Sequence, residues 1–188
     1  AQTVRPQFAA PTSSIPARGF DAAITPCSRT ELESFAPTWD AMVDAAPEAE
    51  PFVRPHWIAS YAAAFEPETP LALVTTRAGG ALTSVLPFMR KDRFLKRFPA
   101  RTWRSPSGVH SCRFDLACRN PTDEGMVSSV WEALRGSSEW EVIEAIDVPE
   151  DGAFRAVVEC ARAAGYPVGY WPTRRTPVLP FDGPSADP

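Results

Sequence analysis

The positions of the prolines constrain the fold of this chain more than any other feature of its sequence. The 188 residues include 21 prolines, and none of them falls between Thr122 and Val148. Proline lacks a backbone N–H and interrupts helices and inner strands. The ends of the chain are dense in proline, and the first 18 residues are otherwise rich in Ala, Thr, Ser and Gln. We therefore predict a flexible arm over residues 1–18, a folded domain over 19–181 and a tail or linker over 182–188.

The composition fits one ordinary hydrophobic core. Hydrophobic residues make up 44% of the chain, with 11 Phe and 6 Trp. The net charge of −4 excludes a uniformly basic nucleic-acid or membrane binder, and no apolar run is long enough for a membrane span. The four cysteines are interpreted as reduced packing residues of a cytoplasmic protein. His110, Cys112 and Cys118 lack the closely paired spacing of zinc ligands, so no metal is predicted.

The hydrophobic periodicity predicts a protein of the α/β (α+β) class. Ser28 and Glu31 form a capping-box pattern that opens a helical region, and Pro37 is expected to divide that region in two. Gly79 and Gly80 predict a hairpin turn. The other predicted helices start at residues 55, 123 and 150, and the predicted strands cover 19–25, 71–77, 81–89, 101–105, 139–147, 168–171 and 176–181. This order predicts a mixed central sheet of six to seven strands with helices on both faces.

Three segments resemble a known family. The run Pro51-Phe52-Val53-Arg54-Pro55-His56-Trp57 resembles the PF-x-x-P-x-W start of the second helix in CelD-like acetyltransferases, which are associated with cellulose biosynthesis. The segments 71–77, 79–80 and 85–88 follow at the family's spacing, and Trp140–Asp151 is similar to its W-x-x-x-x-L-x-x-[IL]-P-x-D region. The order of elements resembles that of the GNAT superfamily. The likeness covers about residues 30–181.

The resemblance implies a single GNAT-like domain that uses an acyl-CoA, such as acetyl-CoA, to acylate an acceptor. CelD-like proteins usually contain two GNAT-like halves, and this chain resembles the N-terminal one. We therefore expect a second GNAT-like domain or another chain as partner, with a small-molecule or glycan acceptor in polysaccharide biosynthesis. The cofactor chemistry is expected to be degenerate. The glycine-rich phosphate motif is missing, and Ala161 stands where the resemblance implies a general-acid tyrosine, five residues before Tyr166.

The polar segment after the predicted strand 101–105 holds the candidate site. His110 could act as general base with Asp115 orienting it, although a long loop in which Asp115 caps a turn is the favoured interpretation. Ser107 and Gly108 are the candidate cofactor-binding residues, because they stand where the resemblance implies the phosphate-binding segment.

A basic segment is the clearest electrostatic feature of the sequence. Residues 90–104 carry a net charge of +6, and the rest of the chain carries −10. The cations are Arg90, Lys91, Arg93, Lys96, Arg97, Arg101 and Arg104. Apolar residues alternate with them, so the segment is amphipathic. It could bind an anionic ligand, dock a partner domain or form a solvated hairpin. The alternative to an acyltransferase domain is thus a non-catalytic module for an anionic glycan or protein partner, whereas nucleic acid is not expected.

Overall fold

A six-stranded sheet organises the fold. The structure, a computed structural model, describes residues 19–47, 50–95, 98–108, 110–111 and 113–172. Within them the strands are β1 (Asp21–Cys27), β2 (Leu71–Ala78), β3 (Ala81–Leu95), β4 (Phe98–Arg104), β5 (Ala117–Cys118) and β6 (Val142–Glu144). The α-helices are α1 (Arg29–Asp44), α2 (Pro55–Phe65), α3 (Glu124–Gly136) and α4 (Ala153–Ala163), and a 3₁₀ turn covers Pro51–Val53. The predicted arm and tail lie outside the described residues.

The sheet is mixed, as predicted. Its order is β1-β2-β3-β4-β6, in which β1 to β4 pair antiparallel and β4 pairs parallel with β6. One edge of the long strand β3 pairs with β2, and its other edge pairs with two strands in succession. Met89–Leu95 pair with β4, and Ser84 and Val85 pair with β5. The chain therefore leaves this edge after Arg104 and returns at Ala117, and the intervening residues 105–116 hold the predicted site.

Helices cover both faces of the sheet, which confirms the predicted architecture. On one face α3 and α4 pack on Val74, Phe88 and Trp103. On the opposite face α1 and α2 pack on Leu73, Val85 and other residues that alternate with the first set. The inner strands are consequently apolar on both sides. None of the helices in the described ranges is long and apolar enough to cross a bilayer.

Two local predictions are confirmed by their hydrogen bonds and backbone angles. The Ser28 hydroxyl accepts the Glu31 N–H at 3.3 Å, and the Glu31 carboxylate accepts the Ser28 N–H at 2.7 Å, which completes the capping box. Gly79 and Gly80 have φ values of +55° and +83° between β2 and β3. Positive φ at both positions is the conformation that a two-residue hairpin turn needs.

The predicted break at Pro37 is wrong, because α1 runs without interruption from Arg29 to Asp44. Pro37 lies on the exposed side of the helix, where water can hydrate the carbonyl that loses its helical partner. Buried residues on both sides of it, including Leu32 and Trp39, anchor the two halves in one core. Burial of one continuous apolar face outweighs the local cost of the proline.

The predicted strand at 168–171 is also wrong, since Val168–Trp171 form no regular secondary structure. Two side-chain contacts occur in or next to this segment. Tyr166 packs edge-on against Trp131 at 4.9 Å, and the Arg155 guanidinium lies 4.2 Å from the ring centre of Tyr170. Prolines at 167 and 172 remove ladder donors from both ends. The predicted strand at 176–181 lies outside the described residues.

Candidate functional site

The carboxyl ends of β4 and β6 are where a ligand site is expected. They are parallel neighbours in the described sheet, and ligands of open sheets bind in the crevice beyond the carboxyl ends of parallel strands. Residues 105–116 follow β4 directly and contain Ser107, Gly108, His110 and Asp115. Residues 145–152 follow β6 and lead to α4. The contacts between these two segments decide whether a crevice exists.

Hydrogen bonds join the two strand ends. The Ser105 N–H donates to the Glu144 carbonyl at 2.9 Å, and the Ser105 Oγ accepts the Ile146 N–H at 3.1 Å. The Ser107 hydroxyl donates to the Ile146 carbonyl at 3.1 Å and lies 2.6 Å from the Ser105 Oγ. Both serines are fully buried. The segments that follow β4 and β6 are therefore bonded to each other at this edge, and the Ser107 hydroxyl is committed to internal bonds.

An aromatic stripe on α2 holds the same segment from the other side. Trp57, Tyr61 and Phe65 lie four residues apart and so share one face of the helix. The Trp57 Nε1 donates to the Ser111 hydroxyl at 3.2 Å, and the Tyr61 hydroxyl donates to the Ser107 carbonyl at 2.9 Å. The Phe65 ring stacks on the exposed His110 ring with centroids 4.8 Å apart and planes 5° apart.

Gly108 is required by this packing. A Cβ atom at position 108 would lie 2.8 Å from the Tyr61 hydroxyl oxygen. The close approach of Gly108 is thus to the protein's own tyrosine, and its role in cofactor binding remains a prediction.

His110 and Asp115 are the two predicted catalytic residues. Within the described residues no hydrogen bond or ion pair joins them. Asp115 is 11% exposed and accepts N–H groups from Leu116 at 2.8 Å and Phe154 at 2.7 Å. Asp115 therefore caps the first turn of α4. The alternative prediction is that Asp115 caps a turn; it does cap backbone N–H groups, but one of them belongs to a helix that is distant in sequence. Their catalytic roles remain predictions.

The Asp115 carboxylate has polar neighbours on one side and is packed tightly against the start of α4 on the other. Burial raises the pKa of Asp115, while the backbone donors and the Arg113 guanidinium, 3.7 Å away, act in the opposite direction. Arg113 also lies 3.4 Å from the Glu50 carboxylate. A Cβ at Gly152 would lie 2.5 Å from Asp115 Oδ2, so the cap fits tightly under the start of α4.

The N-terminus of α3 does not fit the phosphate groups of an acyl-CoA. A pyrophosphate at a helix start needs free backbone donors and the positive end of the helix dipole. Here the Asp123 carboxylate accepts the Met126 N–H at 3.1 Å, and Glu124 adds a second negative charge in the first turn. Neither this helix start nor the joined ends of β4 and β6 offers a cradle that fits the phosphate groups.

Four of the five described cations of the basic segment hydrogen-bond to glutamates or backbone of this chain. Lys91 binds Glu66 at 2.7 and 2.8 Å, Arg93 binds Glu144 at 3.0 Å, and Arg90 binds Glu139. Arg101 bonds to the Ser138 carbonyl and lies 3.3 Å from Glu141. Arg104 is the exception. Lys96 and Arg97 lie outside the described residues.

These pairings weaken the polyanion interpretation, because glutamates of this chain, three at or just before β6 and Glu66 at the end of α2, already pair with the cations. With Asp92, the four glutamates balance the five described cations. The local sequence predicts a strong positive field at residues 90–104, but the glutamates of the folded chain largely neutralise it. The register that places Glu144 beside Arg104 could not be read from the sequence.

No metal centre is built from the described residues, in which no group of three or more His, Cys, Asp or Glu side chains could hold an ion. Cys118 is buried, and burial raises the pKa of its thiol to about 12. A thiol of this kind stays protonated and is a poor ligand or nucleophile. Cys112 lies outside the described residues.

Comparisons with known proteins give distant structural likenesses. No protein-family model matches the sequence, and the search of curated proteins found no match. A ribosomal-protein-alanine N-acetyltransferase from Brucella melitensis biovar Abortus 2308 aligns at a TM-score of 0.46 and 11% identity, covering 84% of this chain and 99% of its own. The aminoglycoside N-acetyltransferase AAC(6')-Iy in complex with CoA aligns at a TM-score of 0.37 and 13% identity, covering 88% and 97%. Both neighbours are acetyltransferases, but likenesses this distant assign no activity to the chain.

Proposed function

We propose that this chain is a GNAT-like acyltransferase domain that does not bind acyl-CoA productively, and that it serves as the acceptor-binding or structural half of a tandem enzyme. The observation that carries the proposal is the closed carboxyl end of the β4–β6 pair. Buried Ser105 and Ser107 occupy the space in which a ligand of a parallel strand pair would lie. The Asp123 cap at α3 supports it, because a carboxylate there repels phosphate.

The tandem arrangement rests on the CelD-like motifs at 51–57 and 140–151. In that arrangement the cofactor chemistry belongs to a second GNAT-like domain, and the acceptor is a glycan or small molecule of polysaccharide biosynthesis. A coding frame that continues beyond Pro188 into a second GNAT-like half would support this arrangement. A frame that stops, with no such partner encoded nearby, would contradict it.

Calorimetric titration with acetyl-CoA tests the cofactor part of the proposal. The buffer contains millimolar phosphate, so that weak pairing of phosphate groups with surface arginines does not register. We expect no saturable binding up to millimolar acetyl-CoA. Micromolar binding under these conditions would overturn the proposal.

Asp123→Ser is the informative companion variant. A serine keeps the helix cap but removes the negative charge. We expect it to gain no acetyl-CoA affinity, because Ser105 and Ser107 still close the strand ends. A gain to micromolar affinity would show that the carboxylate alone excludes the cofactor and would contradict the role given to the closed strand ends.

A non-catalytic binding module remains the second candidate, and one observation favours a protein partner for it. Phe98, at the start of β4 and directly after Lys96 and Arg97, is 74% exposed. Aromatic side chains are enriched at protein contacts. Retention on immobilised heparin tests the polyanion form of this candidate. Loss of retention in Arg93→Gln/Lys96→Gln/Arg97→Gln would favour a glycan, and unchanged retention would reject it.

A further inference from the structure

Arg104 lies at the carboxyl end of β4, and its side chain has no hydrogen-bond acceptor among the residues that the structure describes. The side chain is 20% exposed, and its buried Nε has no hydrogen-bond partner. The nearest carboxylate oxygen, Glu144 Oε2, is 3.9 Å from that Nε, which is too long for a hydrogen bond. No hydrogen bond joins the guanidinium to any residue in the described ranges. A mostly buried cation without acceptors is costly, so the arrangement favours a ligand that supplies them.

The neighbouring carboxylates are already committed to other cations. Glu144 accepts from Arg93 at 3.0 Å. Glu66 accepts two hydrogen bonds from Lys91 and a third from the Thr69 hydroxyl at 3.2 Å. Arg104 acts on Glu66 only through its charge, which helps to lower the pKa of that carboxyl. The described part of the chain therefore gives Arg104 two negative neighbours but no oxygen within hydrogen-bond distance.

The charge of this cluster indicates a ligand with one anionic group. Lys91, Arg93 and Arg104 supply three positive charges, and Glu66 and Glu144 supply two negative ones. One positive charge remains, and it lies on the guanidinium that lacks hydrogen bonds. A planar guanidinium offers paired donors that match a carboxylate or phosphate.

We propose that Arg104 binds a single carboxylate or phosphate group of a small ligand. The partial exposure of the side chain lets such a group approach from solvent, and the group would satisfy the donors and neutralise the cluster. A polyanion is the poorer match, because the other described cations of the basic segment are bonded within the chain. This site is independent of the proposed function, since it needs neither acyl-CoA nor a second domain.

Titrations of the whole chain with inorganic phosphate and, separately, with acetate test the proposal. The Nε–Hε signal of Arg104 in proton–nitrogen correlation spectra reports the contact directly in the unaltered protein. We expect this signal to shift with saturation for at least one of the two probes, and the probe that binds identifies the ligand as phosphate or carboxylate. An Arg104 signal that does not respond to either probe up to tens of millimolar would overturn the proposal.

Two variants sharpen the test. Arg104→Gln should weaken binding by about tenfold, which corresponds to about 1.4 kcal/mol. Arg101→Gln is the matched control, because Arg101 lies on the same strand but already bonds to Ser138 and faces Glu141, and its change should alter affinity less than about twofold. Equal affinity of Arg104→Gln and the unaltered protein would overturn the site. Failure of the proposed function would give a different result. Acetyl-CoA would then bind at micromolar concentration in phosphate buffer, both to the unaltered protein and to Arg104→Gln.

Discussion

The Asp115 carboxylate accepts the backbone N–H of Phe154 at 2.7 Å, across 39 residues of sequence. The N-cap position of α4 is Gly152, which offers no side chain for capping. Asp115 supplies the missing acceptor from the segment between β4 and β5. The same carboxylate oxygen accepts the Leu116 N–H, so one buried residue fixes the return of the chain to the sheet and the start of α4.

Removing this cap is expected to destabilise the fold. Asp115→Ala would leave two backbone N–H groups without an acceptor, and we expect a loss of about 2–4 kcal/mol in the free energy of unfolding. Asp115→Asn keeps an oxygen in place and should cost about 1 kcal/mol. Urea unfolding followed by circular dichroism measures both. Equal losses for the two variants would contradict a capping role.

Gly152 is expected to tolerate no side chain, because its Cβ would lie 2.5 Å from Asp115 Oδ2 and 2.8 Å from Pro149 Cγ. Gly152→Ala should cost about 1–3 kcal/mol, whereas Gly136→Ala, with nothing within 4 Å of its Cβ at the end of α3, should be neutral or slightly stabilising. Thermal unfolding of the two alanine variants makes the comparison. If the carboxylate is the obstacle, Asp115→Ala reduces the cost of Gly152→Ala.

The contact between α2 and residues 105–116 is tested by a double-mutant cycle. Tyr61→Phe removes the hydrogen bond to the Ser107 carbonyl and should cost about 1 kcal/mol. Gly108→Ala should cost a similar amount, because its Cβ would displace the Tyr61 hydroxyl. In the Tyr61→Phe background Gly108→Ala should cost clearly less. Strict additivity of the two losses would show that the hydroxyl is not what Gly108 accommodates.

The sequence predicts those features that depend on neighbouring residues. The Ser28–Glu31 box and the Gly79–Gly80 turn each rest on contacts within a few residues, and both form as expected. The spacing of Trp57, Tyr61 and Phe65 shows a shared helical face. It does not show that this face holds Ser111, Ser107 and His110, because the partners lie about 50 residues away.

The candidate site is harder to predict from the sequence, because its hydrogen bonds and ion pairs depend on sheet register. The parallel pairing of β4 with β6 places Glu144 beside Arg104 and connects Ser107 to Ile146. A count of the charges in residues 90–104 therefore overestimates the positive field of the folded chain. The polar residues after β4 likewise suggest an open loop, whereas in the structure this segment packs against the rest of the chain. Asp115 illustrates the same limit, since its acceptor role depends on a helix that starts 38 residues later in the chain.

The Glu66–Lys91 pair is expected to make stability sensitive to acid. Hydrogen bonds from Lys91 are the main reason that the pKa of Glu66 lies below its ordinary value. A carboxyl with a lowered folded-state pKa contributes stability that is present above its ordinary pKa and is lost as the pH falls through the folded-state value. Because both side chains are partly exposed, the contribution should be about 0.5–1 kcal/mol.

Urea unfolding between neutral pH and about pH 3 measures this contribution, since that range spans the titration of a glutamate. Glu66→Gln should lose the acid-dependent part of the free energy of unfolding. The difference in that free energy between the variant and the unaltered protein should therefore shrink as the pH falls. The difference in unfolding free energy between Lys91→Met and the unaltered protein should shrink in the same way, because this variant removes the partner that lowers the pKa of Glu66. A Glu66→Gln difference that stays constant over the whole range would show that the pair contributes no pH-dependent stability.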